Sequence, residues 1–405
     1  MRILFVSISS LPHMSEHSIS LDLIHCLQNM GHEVSVICAL EKRENRDTYL
    51  AEENGCRVLR VRIGNNKRAG LIEKGLTTLL LPRYYVSAIK KYFSDVRFDM
   101  VVYPTPPVTQ YATVRYVKKR DGAKSFLLLK DIFPQNALDL GMMSKGGLKG
   151  IIYRYFRRKE KRLYAISDRI GCMSQANVDY LLRHNPEIPS EKVGICPNAI
   201  EPLDMRISSE ERRALRDKYQ LPQDKKIFVY GGNLGKPQGI PFLLDCLRKL
   251  SADKDAYFLI VGDGTEYGRI EAVLTAESIP NARLMRRLPK EDYDRLTAAC
   301  DIGLIFLDHR FTIPNFPSRL LAYMQAGLPV LAATDPNTDV GTVIAQNGFG
   351  FWCESNDAEA FANAARSACK LTPDELSEMQ AKEKNCLLEN YSAERCARIV
   401  CGDEK

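Results

Sequence analysis

Short apolar runs punctuate the first half of the chain at intervals that strands can fill. Residues 3–9, 33–39, 56–63, 100–103, 125–129, 169–174 and 193–196 are such runs, rich in β-branched side chains. Between them lie stretches with helical spacing. In the first, Ile19, Leu23 and the Cys26/Leu27 pair share one face, and Gly31 stops the helix. The second half repeats the grammar. Strands are predicted at 226–230, 256–261, 283–285, 302–306 and 330–333, and helices at 241–250, 267–277, 290–300, 317–326 and 357–367. Buried strands alternating with helices predict parallel sheets built from βαβ units. The segment CPNAIEPLDM, 196–205, has two prolines and little periodicity, and it divides the chain. The expected organisation is a domain over 1–200, a second over 201–380, and a helical tail over 381–405. No short internal repeat is visible.

Composition narrows the class. The 405 residues are 45% hydrophobic and 26% charged, which fits globular domains and excludes a disordered or collagen-like chain. No uncharged apolar run reaches the ~18–20 residues of a spanning helix. The apolar run 3–6 is too short for a secretory signal core, so the cytosol is the expected compartment. Twelve cysteines without a C-x-x-C spacing read as reduced, mostly buried thiols, and no structural zinc is expected. The net charge of +7 is uneven: residues 1–200 carry 31 Lys+Arg against 19 Asp+Glu, net +12, and the remainder is net −5. The basic half should meet an anionic partner.

Ligands of open parallel sheets bind beyond the carboxyl ends of the strands, and the candidate residues cluster there. GGNLGKPQG (231–239) follows a strand and precedes a helix. Gly231, Gly232 and Gly235 could bring backbone N–H groups to a phosphate, with Lys236 as its charge, or the segment is an ordinary glycine turn. In PSRLLAYMQAGLPVLA (317–332), Ser318 and Arg319 open a helix and could face an anion, or they form a plain cap and a surface arginine. VGDGTE (261–266) places Gly262 at a strand end, and Asp263 either caps the next turn or touches ligand. Asp308, His309 and Arg310 follow strand 302–306, as a sugar or phosphate contact or as a solvated loop. Asp131 ends strand 125–129 and could hold an acceptor hydroxyl or cap the turn at Pro134. Two basic stretches, 65–91 (with Lys67 and Arg68) and 151–164 (with Arg157, Arg158, Lys161 and Arg162), interleave cations with large apolar residues. They suit an anionic membrane surface or a lipid diphosphate, or are helices with one solvated basic face. No nucleic-acid motif accompanies them, and no nucleic acid is expected as a partner.

The order and spacing of GHEVSVI (31–37), DIFPQNALDLG (131–141), PNAIE (197–201), GGNLGKPQG, VGDGTE and PSRLLAYMQAGLPVLA resemble retaining glycosyltransferases of family 4, in the style of bacterial enzymes that build surface polysaccharides. The resemblance covers nearly the whole chain. It implies the GT-B fold: α/β, two facing Rossmann-like domains with parallel sheets flanked by helices, the first for the acceptor and the second for a nucleotide sugar. It implies donor contacts at Gly232, Asn233, Gly235, Lys236, Gly262, Asp308, His309, Ser318 and Arg319, and a nucleobase beside Arg287 and Leu288. It places the first βα loop, with Ser10 and His13, against donor phosphates and acceptor, and makes Asp131, Lys236 and Arg319 the catalytic candidates. Two departures stand out. Family members often carry Arg where Asn233 stands and Lys where Gln238 stands. The family's pair of Glu residues falls at Pro314 and Ala322, neither of them acidic.

The implied reaction moves a sugar, with N-acetylated amino and deoxyamino sugars among the candidates, from a UDP-sugar to a polyprenyl-diphosphate-linked saccharide, with retention. No cofactor and no metal are expected, since Lys236 and Arg319 can neutralise the diphosphate. The expected location is the inner face of the cell membrane, as a peripheral protein on an anionic leaflet. The alternatives are a UDP-sugar 2-epimerase on the same fold and a non-catalytic nucleotide-binding scaffold.

Overall fold

The computed structural model describes residues 1–65 and 70–404, in two compact units. The first is Met1–Glu201 with Ala393–Lys405, and the second is Pro202–Ser392. The predicted membrane-facing residues Lys67 and Arg68 lie outside the described residues.

The sheet of the first unit runs, edge to edge among the described residues, Tyr49–Glu53, Cys56–Ile63, Glu33–Glu41, Arg2–Val6, Met100–Pro104, Lys124–Leu129, Arg169–Cys172 and Val193–Ile195. Every pairing is parallel except that of Tyr49–Glu53, which runs antiparallel at the edge. The strands read as continuous apolar runs because both faces are covered. On one face Leu4, Val6, Ile37 and Tyr103 pack with Tyr85, Ile89, Val117 and Leu163 of the helices Leu71–Tyr92, Tyr111–Asp121 and Gly147–Ile166. On the other, Ile3, Phe5, Val36 and Val102 pack with Leu21 and Ile24 of helix Ile19–Asn29 and with Cys396, Ala397 and Val400 of helix Ala393–Cys401.

The second sheet is all parallel, in the order Ala282–Met285, Ala256–Asp263, Lys226–Asn233, Ile302–Phe306, Val330–Thr334, Gly350–Glu354. The chain starts in the middle at Lys226–Asn233, builds two strands to one side, then crosses to the other with Ile302–Phe306. That reversal leaves a crevice at the carboxyl ends of these two strands, where doubly wound sheets bind ligands.

Two Rossmann-like parallel-sheet units are thus present, as expected. The strands Tyr49–Glu53 and Gly350–Glu354 and the helix Val340–Asn347 were not foreseen. The expected tail from 381 divides: helix Pro373–Asn390 lies in the second unit, while Ala393–Cys401 lies in the first. The cause is the stripe Ala393, Cys396, Ala397 and Val400, spaced for one helical face and buried. No helix of the described residues is long and apolar enough to cross a membrane.

Candidate active site

Strand Lys226–Asn233 delivers Gly231, Gly232 and Asn233 to the crevice, and each glycine is there for a different reason. A Cβ on Gly231 would lie 1.6 Å from the Tyr293 hydroxyl, and one on Gly262 would lie 2.0 Å from the Gly232 carbonyl oxygen. Those two glycines let neighbouring groups pack. Gly232 has φ +125°, which L side chains rarely adopt, and the nearest atom to its missing Cβ is Arg319 Nη2, 3.6 Å away. Gly235 N–H, expected to face a phosphate, donates instead to Gln238 Oε1, 3.1 Å. The same oxygen accepts from Asn233 Nδ2 at 3.0 Å. Where relatives often carry two cations, this chain places two amides that close the loop on each other.

Arg319 opens its helix, and its side chain turns in against Tyr230 rather than lying on the surface. Its guanidinium lies 4.1 Å from the centre of the Tyr230 ring, with Tyr230, Tyr293 and Tyr323 around it. Nη1 is buried without a hydrogen-bond partner. Among the described residues Arg319 makes no ion pair. Tyr323 braces the arrangement from below: its hydroxyl accepts from Gly231 N–H at 3.3 Å and lies 3.0 Å from the Val229 carbonyl oxygen. Ser318 is exposed and makes no cap hydrogen bond.

Two cavities flank the loop 233–239. One, of 380 Å³, is lined by Gly231, Gly232, Asn233, Gly262, Asp263, Arg287, Leu288, Lys290 and Tyr293. Arg286 turns aside from it, stacking 3.5 Å from the Tyr267 ring centre. The other, of 410 Å³, holds Lys236, Asp308, His309 and Arg310 with Glu266 and Arg269. It sits at the reversal point because Asp308 N–H donates to the Pro237 carbonyl at 2.9 Å, joining the ends of the two central strands. Asp308 is committed within its own loop. Arg310 holds it through Nε and Nη2, both at 2.8 Å. Burial pushes this carboxyl up, but the Arg310 bonds outweigh it and leave it below its usual range. His309 contacts Asn356 Nδ2 at 3.3 Å. Most of the predicted donor residues therefore fall into a nucleoside-sized cavity and a cationic one, with the Arg319–Gly232 contact in the same loop region, while Gly235 and Ser318 line neither.

In the first unit, Asp131 ends strand Lys124–Leu129. Both its oxygens accept from Asn136 Nδ2, at 2.9 and 2.8 Å. Burial raises its carboxyl to about 6, against the opposing bonds from Ile132 N–H and Asn136. Asn136, the second residue of helix Gln135–Asp139, is the residue that orients Asp131. His13 is tied into its own loop, with Nδ1 2.8 Å from Ser15 Oγ and its N–H on Glu16. Ser10 is half-buried in the same loop.

The basic helix needs a correction. Arg157 donates to Glu160, to Asn185 Oδ1 and to the His184 carbonyl, and Lys161 pairs with Glu187 at 2.9 Å. Arg157 is thus taken up by the protein's own surface instead of being free to face a membrane, while Lys161 stays exposed beside Glu187. Arg158 and Arg162 are exposed.

Comparison with known proteins gives a consistent picture. Residues 19–202 match the model for Glycosyltransferase Family 4, and residues 211–385 match that for Glycosyl transferases group 1. A Pseudomonas aeruginosa protein named as the glycosyltransferase WbjE is 26% identical over 324 residues, 80% of this chain and 78% of its own. The Escherichia coli K12 protein WcaI, named as a colanic acid biosynthesis glycosyl transferase, is 25% identical over 371 residues, 86% and 87% of the two chains. The solved structure of Anabaena HepE in complex with UDP is 14% identical, with a TM-score of 0.70 over 100% of this chain and 99% of that one.

Proposed function

Because this chain is a glycosyltransferase of the family 4 type with the GT-B fold, we propose that it transfers a sugar from a UDP-sugar to a polyprenyl-diphosphate-linked saccharide, with retention, in surface polysaccharide synthesis. The observation that carries the donor half is Arg319, a half-buried cation whose Nη1 is buried and unpaired, beside the backbone-open Gly232. A buried N–H group without a partner is costly, and a diphosphate supplies the missing acceptor and charge with a geometry that suits the fork. The uracil and ribose would occupy the 380 Å³ cavity between Gly262 and Arg287–Leu288. Lys236 and Arg310 would meet the phosphate and sugar end in the 410 Å³ cavity. As the glycosidic bond breaks, negative charge grows on the leaving UDP, and fixed cations lower that barrier without reorganising. That HepE was solved with UDP agrees with this choice of nucleotide.

The acceptor half rests on Asp131. A carboxylate that titrates near 6 is ionised at neutral pH yet can still hold a proton, which suits a group that orients and relieves an acceptor hydroxyl. The colanic acid role in the name of WcaI supports a saccharide acceptor. We place the enzyme on the inner membrane face, held by the basic first unit.

The test is direct. UDP, GDP and ADP are titrated calorimetrically, and UDP-sugars are then assayed with polyprenyl-diphosphate-linked saccharides. UDP should bind tightest and sugar should move to the lipid-linked acceptor with its anomeric configuration kept. Preference for another nucleotide, or UDP binding without transfer across a broad donor and acceptor panel, would overturn the reading.

A further inference from the structure

The first unit gathers four metal-capable side chains from three places in the chain, one of them the loop that carries Ser10 and His13. His17 lies in the loop after strand Arg2–Val6, Asp22 and His25 lie on helix Ile19–Asn29, and Glu201 is the residue at which the chain leaves the unit. One ligand atom from each lies within 4.8 Å of those of the other three. His17 Nδ1 is 3.0 Å from Asp22 Oδ1 and 3.7 Å from Glu201 Oε2. Tetrahedral N/O ligands at about 2.0–2.2 Å from zinc stand roughly 3.3–3.6 Å apart. The two measured spacings bracket that value, and side-chain movement of about an ångström would bring in the rest.

The cluster is also held ready from outside. Asp22 is buried, and its Oδ2 accepts from Glu201 N–H at 3.0 Å, which leaves Oδ1 for the cluster. His25 Nε2 is 2.5 Å from the Met14 carbonyl oxygen. A carbonyl can only accept, so that nitrogen carries the hydrogen and Nδ1 keeps its lone pair. Metal-binding histidines are commonly fixed in this way through their second nitrogen. Charge points the same direction. Two carboxylates approach one imidazole nitrogen, and a proton there balances one of them, whereas a divalent cation balances both.

We propose that His17, Asp22, His25 and Glu201 form a structural site for a divalent cation of the zinc type. Two imidazoles with two carboxylates suit zinc rather than magnesium, which prefers an octahedral oxygen shell. The ion would join a loop, a helix and the point where the chain departs for the second unit. It takes no part in neutralising the donor. The ligands are His and carboxylate at 17, 22, 25 and 201, residues that the cysteine spacing does not touch.

The experiment uses the full chain, stripped with chelator and dialysed. Zinc is titrated calorimetrically, thermal unfolding is followed with and without zinc, and the cobalt complex is recorded in the visible and near ultraviolet. The expected result is one zinc per chain, a higher unfolding midpoint, and cobalt d–d bands without thiolate charge transfer. His17→Ala and Glu201→Gln should each weaken zinc at least about tenfold, the loss that even an outer partner of a metal site produces. Their circular dichroism should match the parent, because both side chains are part-exposed. Substoichiometric zinc, unchanged affinity in both variants, or thiolate-to-cobalt bands that put the ion on the cysteines would each overturn the proposal.

Discussion

Arg319 carries a full charge where the described residues offer it no carboxylate, so its removal should separate function from stability. Arg319→Met keeps the volume over Tyr230 and drops the charge. Its unfolding midpoint without nucleotide should be unchanged or higher, because the buried, unpartnered Nη1 is removed. Its UDP affinity should fall ten- to a hundred-fold, since a charge-assisted hydrogen bond is worth about 1.5–3 kcal/mol. Lost stability with unaltered UDP binding would make Arg319 a packing residue. Gly232→Ala should also weaken UDP, through strain at φ +125° rather than through collision. Asp131 makes a prediction about pH. Its native carboxyl titrates near 6 and an unfolded Asp near 3.9. Between about pH 4 and 6 the unfolded chain therefore ionises while the native state keeps its proton, and stability from this group falls as pH rises. Asp131→Asn should flatten that slope, measured by urea unfolding across pH, and should lower transfer at pH 7. Transfer by the parent should rise with a midpoint near 6. The sequence made Arg319 and Asp131 candidates by their places at strand and helix ends. It did not reveal that Arg319 turns inward over Tyr230, because that depends on Tyr230, Tyr293 and Tyr323 converging from three separate elements.

At the scale of elements, helix Gly147–Ile166 bears the membrane part of the proposal. Leu148, Ile151, Ile152 and Tyr155 are 76%, 57%, 43% and 41% exposed, and their i, i+3, i+4, i+7 spacing makes one apolar stripe. Arg158, Lys159 and Arg162 continue the same face, while Glu160, Leu163 and Tyr164 are buried. Each cation near an anionic leaflet contributes about 1 kcal/mol, which salt weakens, and the apolar stripe adds a part that salt does not. Reversing Arg158, Lys159 and Arg162 to Glu should abolish flotation with anionic vesicles. Transfer to a long-chain acceptor should fall far more than transfer to a short, soluble one. Leu148→Ser with Ile151→Ser should leave binding that high salt removes completely. Equal loss on both acceptors would mean the helix serves the fold. The sequence located this helix and its amphipathic character, but it could not rank the cations. Arg157 and Lys161 find Glu160 and Glu187, partners that only the folded surface provides. The strand Tyr49–Glu53 escaped notice for a related reason. YLAEE is a half-exposed edge strand with no apolar run, held by its antiparallel pairing to Cys56–Ile63.

For the molecule as a whole, the notable feature is that the first unit is assembled from two distant parts of the chain. Helix Ala393–Cys401 packs on helix Ile19–Asn29 and on the Ile3/Phe5 face. Arg169 Nη1 donates to the Ile399 carbonyl at 2.9 Å, and Ala393 N–H donates to that of Ile200. Burying an Ile or Val contributes about 1.5–3 kcal/mol each, against a total stability of about 5–15 kcal/mol for a domain. A fragment of residues 1–201 should therefore be aggregation-prone. Adding 393–405 back through a flexible linker should yield a cooperatively unfolding unit, as read by calorimetry. A fragment 1–201 that unfolds like the linked one would show that the helix is dispensable. The periodicity of residues 393–401 announced an amphipathic helix, but a stripe of small apolar residues does not say which core it covers. During synthesis this architecture imposes a wait. Translation at roughly 5–20 residues per second needs about 10–40 s to pass from Glu201 to the covering helix. Throughout that interval the nascent first unit presents an open apolar face, and its safe passage depends on whatever holds that face until the ribosome delivers the cover.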